Sequence, residues 1–184
     1  MTYLDRHRAV VERVRHIHRP LVVEVGVDDG ELSALLLERG AAFGLRLLMV
    51  DWWRPPEPGS AYALTGDFAG RTTEQWSAAR LHALSLAARW PGRCTILEGP
   101  SVEMAGQITA ASVDLVFIDA AHDEASVRAD ITAWLPTVKP GGWIGGHDYL
   151  NEPARPYGVR TAVDAIFGDR VILDVDDTWW AEIG

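Results

Sequence analysis

The sequence has little of what several functional classes require. Among its 184 residues there is one cysteine, Cys94, which excludes an internal disulfide or a cysteine-based metal site and is typical of a reducing compartment. Lys139 is the only lysine, and the net charge is −9, so the chain lacks the basic face that nucleic acid requires. No apolar run approaches the roughly 18 residues of a membrane span. We therefore expect a cytoplasmic protein without nucleic-acid or membrane partners.

Short apolar runs alternate with amphipathic segments along the chain. The runs "LVVEVG", "LRLLMVD", "CTILEG" and "VDLVFIDA" are typical of strands buried on both faces. Helical spacing lies between them, and an N-terminal helix within residues 1–20 is expected to stop at Pro20. Two final strand-like segments, "RVILDVDD" and "TWWAEI", have no helix between them. The pattern predicts one α/β domain over residues 1–184, with a mostly parallel sheet, helices on both faces and an edge hairpin.

Two further features suggest contacts with other molecules. Residues 52–70, "WWRPPEPGSAYALTGDFAG", interrupt the alternation with prolines, glycines and aromatic residues, which predicts a lid-like insertion over a substrate. Trp179 and Trp180 are adjacent in the last strand, so they point to opposite faces of the sheet. We expect one to lie in the core and the other to meet a partner subunit in a homodimer.

The residues directly after each predicted strand are the candidate site, because open parallel sheets bind ligands at the carboxyl ends of their strands. Gly26 and Gly30 allow two sharp turns, but Asp28 replaces the middle glycine of a dinucleotide-binding motif. Asp28 and Asp29 would repel a pyrophosphate, which makes a nicotinamide-dependent oxidoreductase the weaker candidate. Asp51 lies about 20 residues beyond the first turn, where a carboxylate accepts hydrogen bonds from both ribose hydroxyls.

Three segments carry a family resemblance: "VVEVGVDDGELS", "LLMVDWW" and "VDLVFIDAAHDEASVRADITAWLPTVKPGGWIGGHDY". They resemble the class I S-adenosylmethionine-dependent methyltransferases, in particular the branch with macrocin-type O-methyltransferases and cephalosporin hydroxylase-like proteins. The similarity runs from Leu21 to Asp148, and the last two strands fit the antiparallel end of that family's Rossmann-like, seven-stranded sheet. The resemblance implies S-adenosylmethionine as cofactor and methyl transfer, predicted here to an oxygen of a small molecule.

The resemblance also implies which residues bind the cofactor. From one end of the cofactor to the other they are Glu24, Gly26 and Gly30 at the methionine end, Asp119 and Ala120 at the sulfonium, Asp51 and Trp52 at the ribose, and Gly99, Pro100 and Ser101 at the adenine. The acidic first loop is compatible with this cofactor, because S-adenosylmethionine carries a sulfonium and an ammonium group.

Methyl transfer to a hydroxyl group also needs something that removes the acceptor's proton. His147 ends a predicted strand facing the cofactor and is our candidate base, with Asp148 or Asp119 setting its tautomer. His122 is expected to contact the substrate or to orient the base. A loop histidine that only caps a helix or a carbonyl is the alternative for each. The glycine doublets before His147 are expected to admit cofactor and substrate closely.

Two alternatives remain open at this point. In metal-dependent relatives the positions of Asp119, His147 and Asp148 hold a divalent ion. A histidine is a softer ligand than magnesium prefers, so the sequence favours a metal-free base. The second alternative is a catalytically silent cofactor-binding protein.

Overall fold

Seven α-helices and seven strands, mostly in alternation, form the part of the chain that the computed structural model describes, which is residues 5–65, 68, 70–150 and 157–184. The helices are α1 (Asp5–Val14), α2 (Glu31–Arg39), α3 (Ala61–Thr65), α4 (Thr73–Ala88), α5 (Ser101–Ala105), α6 (Glu124–Trp134) and α7 (Val159–Phe167). The strands are β1 (Leu21–Val25), β2 (Arg46–Asp51), β3 (Cys94–Glu98), β4 (Val113–Ile118), β5 (Val138–Gly146), β6 (Ile172–Leu173) and β7 (Trp179–Glu182). Within these residues no helix has the length and apolar character needed to cross a membrane.

The strands form one sheet in the order β3-β2-β1-β4-β5-β7-β6. Strands β1 to β5 pair in parallel, whereas β7 pairs antiparallel with both β5 and β6. The predicted seven-stranded sheet with an antiparallel edge hairpin is therefore confirmed. The chain runs outward from β1 through β2 to β3 and then adds β4 on the other side of β1. The carboxyl ends of β1 and β4 consequently border the crevice in which such sheets bind ligands.

Local chemistry sets the ends of several helices. A reciprocal capping box between Thr72 and Gln75 begins α4, and the Asp123 carboxylate accepts a hydrogen bond from the Ser126 N–H at the start of α6. The opening helix is shorter than predicted and ends at Val14; further along the chain, Arg19 has a φ of 55° and donates its N–H to the Phe43 carbonyl. Residues 1–4 of that predicted helix, and residues 66, 67 and 69 of the insertion, lie outside the described ranges.

Buried side chains form one hydrophobic cluster on each face of the sheet. The cluster under α5, α6 and α7 includes Val116, Ile131, Trp134, Ile144, Phe167 and Trp179. The cluster under α1, α2 and α4 includes Val10, Leu36, Leu86, Phe117 and Trp180. Helices therefore cover both faces, which explains why the central strands β1 and β4 are buried along nearly their whole length and do not alternate between buried and exposed residues.

Both tryptophans of β7 are buried, so the prediction that one of them meets a partner subunit is wrong. Trp179 is 1% exposed and packs near Phe167, and Trp180 is fully buried near Phe117 on the other face. The sheet is covered on both sides at this point, which leaves neither ring at the surface. A homodimer stays a prediction, but the two tryptophans of β7 no longer support it.

The glycine doublet at the end of β5 makes room for these rings and not, as expected, for cofactor and substrate. A Cβ atom at Gly145 would lie 2.2 Å from Trp180 Cε3, and one at Gly146 would lie 2.4 Å from the Ile118 carbonyl oxygen and 2.9 Å from Trp179 Nε1. Real Cβ atoms do not approach so closely. The two glycines therefore allow β7 to pack against β5.

We expect Gly145→Ala to lower the free energy of unfolding by about 1–3 kcal/mol, because a methyl group overpacks the core beside Trp180. Urea denaturation followed by tryptophan fluorescence measures the change. Gly106→Ala is the control, since a Cβ atom there would lie 3.3 Å from the Glu103 carbonyl oxygen and the backbone of Gly106 is already helical. Equal stability of the two variants would contradict this account of the doublet.

Candidate active site

The ends of β1 and β4 touch at the crevice. The Asp119 N–H donates to the Val25 carbonyl at 2.8 Å, and a Cβ atom at Gly26 would lie 2.1 Å from the Asp119 carbonyl oxygen. Gly26 also has a φ of 87°, which favours glycine. Only a glycine at this position allows the two strand ends to meet, and the Asp119 side chain is thereby placed at the crevice.

The carboxylate of Asp51 holds the two loops beside the crevice together. Its Oδ2 accepts hydrogen bonds from the N–H groups of Val27 at 2.8 Å and Asp28 at 3.0 Å, and its Oδ1 accepts one from Trp53 at 2.7 Å. A carboxylate has about four acceptor positions, so three are already used by the backbone. Asp51 is thus a structural anchor of the first loop as well as the candidate ribose ligand.

Asp28 replaces the middle glycine of the loop but keeps a glycine-like backbone, with a φ of 50°. Its carboxylate forms an ion pair with Arg71 at 2.6 Å, and the Arg71 guanidinium lies over the rings of Phe68 and Trp76. Burial raises the pKa of Asp28, although Arg71 opposes that rise. Asp28 is therefore not the free negative charge that the sequence predicts, because Arg71 neutralises it and ties the insertion to the first loop.

A cavity of about 410 Å³ opens beside these loops. Eight of the ten predicted cofactor-binding residues line it, namely Gly26, Asp51, Trp52, Gly99, Pro100, Ser101, Asp119 and Ala120. The insertion forms another wall through residues that include Arg54, Pro55, Pro56, Tyr62 and Phe68. The volume falls within the usual range of small-molecule sites. Among the lining residues are five acids and a single arginine, which suits a ligand with positive charge.

The two remaining predicted residues, Glu24 and Gly30, lie beneath the cavity and not on its surface. Glu24 is buried inside the sheet and accepts a hydrogen bond from the Ser33 hydroxyl. Burial raises its pKa to about 8, with smaller contributions in the same direction from Asp119 and Asp51. Gly30 has a φ of 87° and precedes α2. Glu24 thus connects β1 to α2 through Ser33, and Gly30 allows the turn into α2.

The four predicted catalytic residues come together in one cluster, which we call the His–Asp cluster: Asp119, His122, His147 and Asp148. Asp148 has a φ of 59°, and its Oδ2 lies 3.0 Å from both His122 Nε2 and His147 Nδ1. Asp119 Oδ1 lies 3.6 Å from His122 Nε2 and 3.9 Å from His147 Nδ1. Asp119 also lines the cavity, so it forms a wall common to the cavity and the cluster.

Mutual charge shifts the titration of this cluster. Burial acts to lower the pKa of His147, but its hydrogen bond to Asp148 and the charge of Asp119 outweigh burial, so that pKa lies above its usual 6.5. Burial acts to raise the pKa of Asp148, but His147 and His122 outweigh it, so that pKa is lowered. The raised pKa of His147 therefore contributes stability below pH 6.5 that is lost as pH rises through its folded pKa, and the lowered pKa of Asp148 contributes stability above its usual 3.8 that is lost as pH falls through its folded pKa.

Three residues at the site were missed by sequence reasoning. Arg6 of α1 places Nε 3.8 Å from Asp119 Oδ2 and Nη1 3.3 Å from Asp176 Oδ2. Arg71 pairs with Asp28, and Asp130 on α6 is one of the residues that line the cavity. The sequence offered a signal only for Asp130, an acid adjacent to Ile131 on the apolar face of a predicted helix. The two arginines reach the site from segments that are remote in sequence.

Comparisons with known proteins agree with this geometry. The family model described as "Methyltransferase domain" matches residues 23–149, which is more than half of the chain. No curated protein matches the sequence.

Solved structures with the same fold include three methyltransferases of low sequence identity. The O-methyltransferase NovP has a TM-score of 0.71 at 18% identity, over 97% of this chain and 78% of that one. The calicheamicin methyltransferase CalS11 has a TM-score of 0.65 at 16% identity, over 97% and 77%. The S-adenosylhomocysteine-bound methyltransferase PaMTH1 of Podospora anserina has a TM-score of 0.67 at 15% identity, over 100% and 80%. With the family match, this places the chain in the methyltransferase-domain family, as a class I S-adenosylmethionine-dependent methyltransferase.

Proposed function

We propose that this chain methylates an oxygen atom of a small molecule, with His147 as the general base. The observation that supports this most directly is the position of Asp119, which lines the cofactor cavity on one side and faces His122 and His147 on the other. S-adenosylmethionine, when bound, supplies an activated methyl group on its sulfonium. An acceptor oxygen held between the cavity and the His–Asp cluster would therefore lie next to both the methyl group and a base.

The residues of the cavity bind and orient the cofactor in this proposal. Asp119 and the Gly26 turn hold the sulfonium end at the crevice, and Asp51 accepts a hydrogen bond from the ribose with its remaining acceptor position. The insertion within residues 52–70 closes the cavity. The lid over the substrate stays a prediction; the described residues of the insertion share a cavity with Gly99 and Ser101, which favours a contact with the cofactor as well.

His147 removes the acceptor's proton, and Asp148 determines which ring nitrogen of His147 accepts it. Because Nδ1 faces Asp148 Oδ2 at 3.0 Å, that nitrogen holds the proton of the neutral ring and Nε2 accepts the new one. The Asp148 carboxylate then stabilises the imidazolium that forms. A catalytically silent protein is disfavoured, since gathering four partly buried titratable groups costs stability and is typical of catalytic sites.

Asp51→Ala should weaken binding of S-adenosylhomocysteine about ten- to a hundredfold, because a hydrogen bond to a charged group contributes roughly 1.5–3 kcal/mol. It should also lower the melting temperature, since three backbone N–H groups lose their acceptor. Isothermal titration calorimetry and thermal unfolding measure the two effects. Asp29→Asn removes the same charge from the same loop without touching the cavity lining and should leave the affinity unchanged. Unchanged affinity in Asp51→Ala would remove Asp51 from the ribose.

His147→Ala should lower the methyl-transfer rate by roughly 10²–10⁴, the usual contribution of a general base, with cofactor affinity nearly intact. In the wild type the rate should rise with pH through a value above 6.5, because the pKa of His147 is raised. His82→Ala, at an exposed position on α4, is the matched control.

Asp148→Asn tests the same mechanism through the pH profile. Without the carboxylate the pKa of His147 falls, so the rising limb should move to lower pH. A profile that does not move in this variant, or a His147→Ala enzyme of normal rate, would overturn the proposed base.

A divalent ion at the same cluster is the second candidate, favoured by one observation. Asp119, His122 and Asp148 each offer a ligand atom, and these atoms lie within 4.8 Å of one another. His122 thus takes the place that the sequence set of Asp119, His147 and Asp148 gave to His147. Mixed imidazole and carboxylate ligands suit manganese, iron or zinc better than magnesium, and an ion here would activate the acceptor oxygen as a Lewis acid. The nearby Arg6 guanidinium would repel it, which favours the metal-free base.

Treatment with EDTA distinguishes the two mechanisms. If His147 acts without a metal, exhaustive dialysis against EDTA should leave the rate within about twofold of the untreated enzyme, since the base needs no ion. The enzyme itself, dialysed without chelator, is the control. Loss of activity that Mn²⁺ or Mg²⁺ restores would instead make Asp119, His122 and Asp148 metal ligands.

A further inference from the structure

Strand β6 lies at the edge of the sheet and exposes apolar side chains. Within the described residues it is the last strand in the sheet order, and its neighbour is β7. Ile172 is 44% exposed and Leu173 is 51% exposed, and Val175, just after the strand, is 50% exposed. Proteins usually cover or charge such an edge, because its free backbone groups pair readily with another strand. The proposed reaction gives these three side chains no role.

The backbone of Leu173 faces outward from the sheet. The Asp174 N–H donates to the Thr178 carbonyl at 3.0 Å, and the next pair along the ladder is Leu173 with Trp179. Hydrogen-bonded and non-hydrogen-bonded pairs alternate in an antiparallel ladder, so Leu173 belongs to a non-hydrogen-bonded pair. Its N–H and C=O therefore point away from β7. A donor and an acceptor on the same residue allow that residue to pair with its own copy about a two-fold axis.

The residues around Leu173 also match a two-fold arrangement. If Leu173 lies opposite Leu173 of a second copy, antiparallel strands place Val171 of each copy opposite Val175 of the other. These three residues alternate along the chain, so they share one face of the sheet. One step further out, exposed Arg170 of each copy lies beside exposed Asp176 of the other. The arrangement thus has apolar pairs at its centre and opposite charges at both ends.

We propose that β6 is an interface between two copies of this chain, paired antiparallel about Leu173 so that two seven-stranded sheets join into one. A second copy is the occupant because this edge complements itself in its backbone groups, its apolar residues and its charges. A strand of two residues buries little area, whereas stable interfaces bury about 1,200–2,000 Å². The dimer is therefore weak, with a dissociation constant on the order of 10–100 µM.

The turn between β6 and β7 connects this interface to the active site. Arg6 Nη1 donates to Asp176 Oδ2 at 3.3 Å, and Arg6 Nε lies 3.8 Å from Asp119 Oδ2. The Tyr149 N–H donates to the Asp177 carbonyl at 3.1 Å. Pairing of the two β6 strands therefore restrains a turn that contacts the surroundings of the His–Asp cluster. The pairing itself does not rest on methyl transfer, so failure of the proposed function would leave it intact.

Sedimentation velocity of the full chain, from about 1 to about 300 µM, tests for the dimer. Wild type should shift from monomer to dimer over this range. Leu173→Lys should raise the dissociation constant at least about tenfold, because it places two like charges at the two-fold axis. Leu81→Lys is the control, since Leu81 is 59% exposed on α4, and it should dimerise like wild type. Circular dichroism checks that both variants are folded.

Cysteine cross-linking tests the register of the two strands. Residues directly opposite in antiparallel strands have Cα atoms about 4.5–5.5 Å apart, which a disulfide can span. Leu173→Cys should therefore form a disulfide-linked dimer when diamide takes up the two electrons and two protons of the thiols. Ile172→Cys is the matched control and should stay monomeric on a non-reducing gel, because position 172 faces Asp174 of the second copy. Burial raises the pKa of the native Cys94 thiol to about 12, so that thiol reacts slowly.

Two charge variants at the edge should act in opposite directions. Arg170→Glu removes the attraction to Asp176 of the second copy and should weaken the dimer by about threefold or more. The same register brings Asp169 near Asp177 of the second copy, and these carboxylates repel one another. Asp169→Asn should therefore strengthen the dimer.

Three results would overturn the proposal. The first is a wild type that stays monomeric at the highest concentration. The second is a folded Leu173→Lys variant that dimerises as well as wild type, which would place any dimer interface elsewhere. The third is an Ile172→Cys variant that cross-links as fully as Leu173→Cys, which would contradict the two-fold axis at Leu173.

Discussion

The contact between the carboxyl ends of β1 and β4 is the constraint on which the site depends. Gly26 permits it, because any side chain there would overlap the backbone of Asp119 and Ala120. The contact places Asp119 at the border between the cofactor cavity and the His–Asp cluster. In the function that we propose, cofactor and base can serve one acceptor only if they share such a border, and a wider crevice here would separate them.

Negative charge is concentrated around this contact and is balanced from outside the sheet. Arg71 neutralises Asp28 from the far end of the insertion, and Arg6 faces Asp119 from α1. Arg13 of α1 also pairs with Asp174 and lies over Trp180, so the opening helix is fixed to the last hairpin. The two arginines at the site reduce carboxylate repulsion and leave an excess of acid that suits a cationic cofactor. Helix α1 and the segment after the insertion, which supply these two arginines, therefore balance part of the negative charge of the site.

Much of the fold could be predicted, because a parallel sheet covered on both faces requires continuous apolar strands and amphipathic helices. The strands up to β5 and the edge hairpin followed from this pattern. The purpose of the doublet Gly145–Gly146 did not, since the rings that require it belong to β7, more than thirty residues later. The exposure of Trp179 and Trp180 was also misjudged, because alternation along a strand shows which face a residue meets but not whether that face is covered.

The sequence alone determined the sheet, the family and the strand ends that border the cavity, because these depend on local periodicity and on short motifs. It also supplied His147, Asp148, His122 and Asp119 as candidates. Only the tertiary structure decided that Asp148 lies 3.0 Å from both histidines, that Arg71 cancels the charge of Asp28, and that Asp130 lines the cavity. Those relations join segments far apart in the chain, and short-range hydrogen bonds and ion pairs depend on distances that no local pattern encodes.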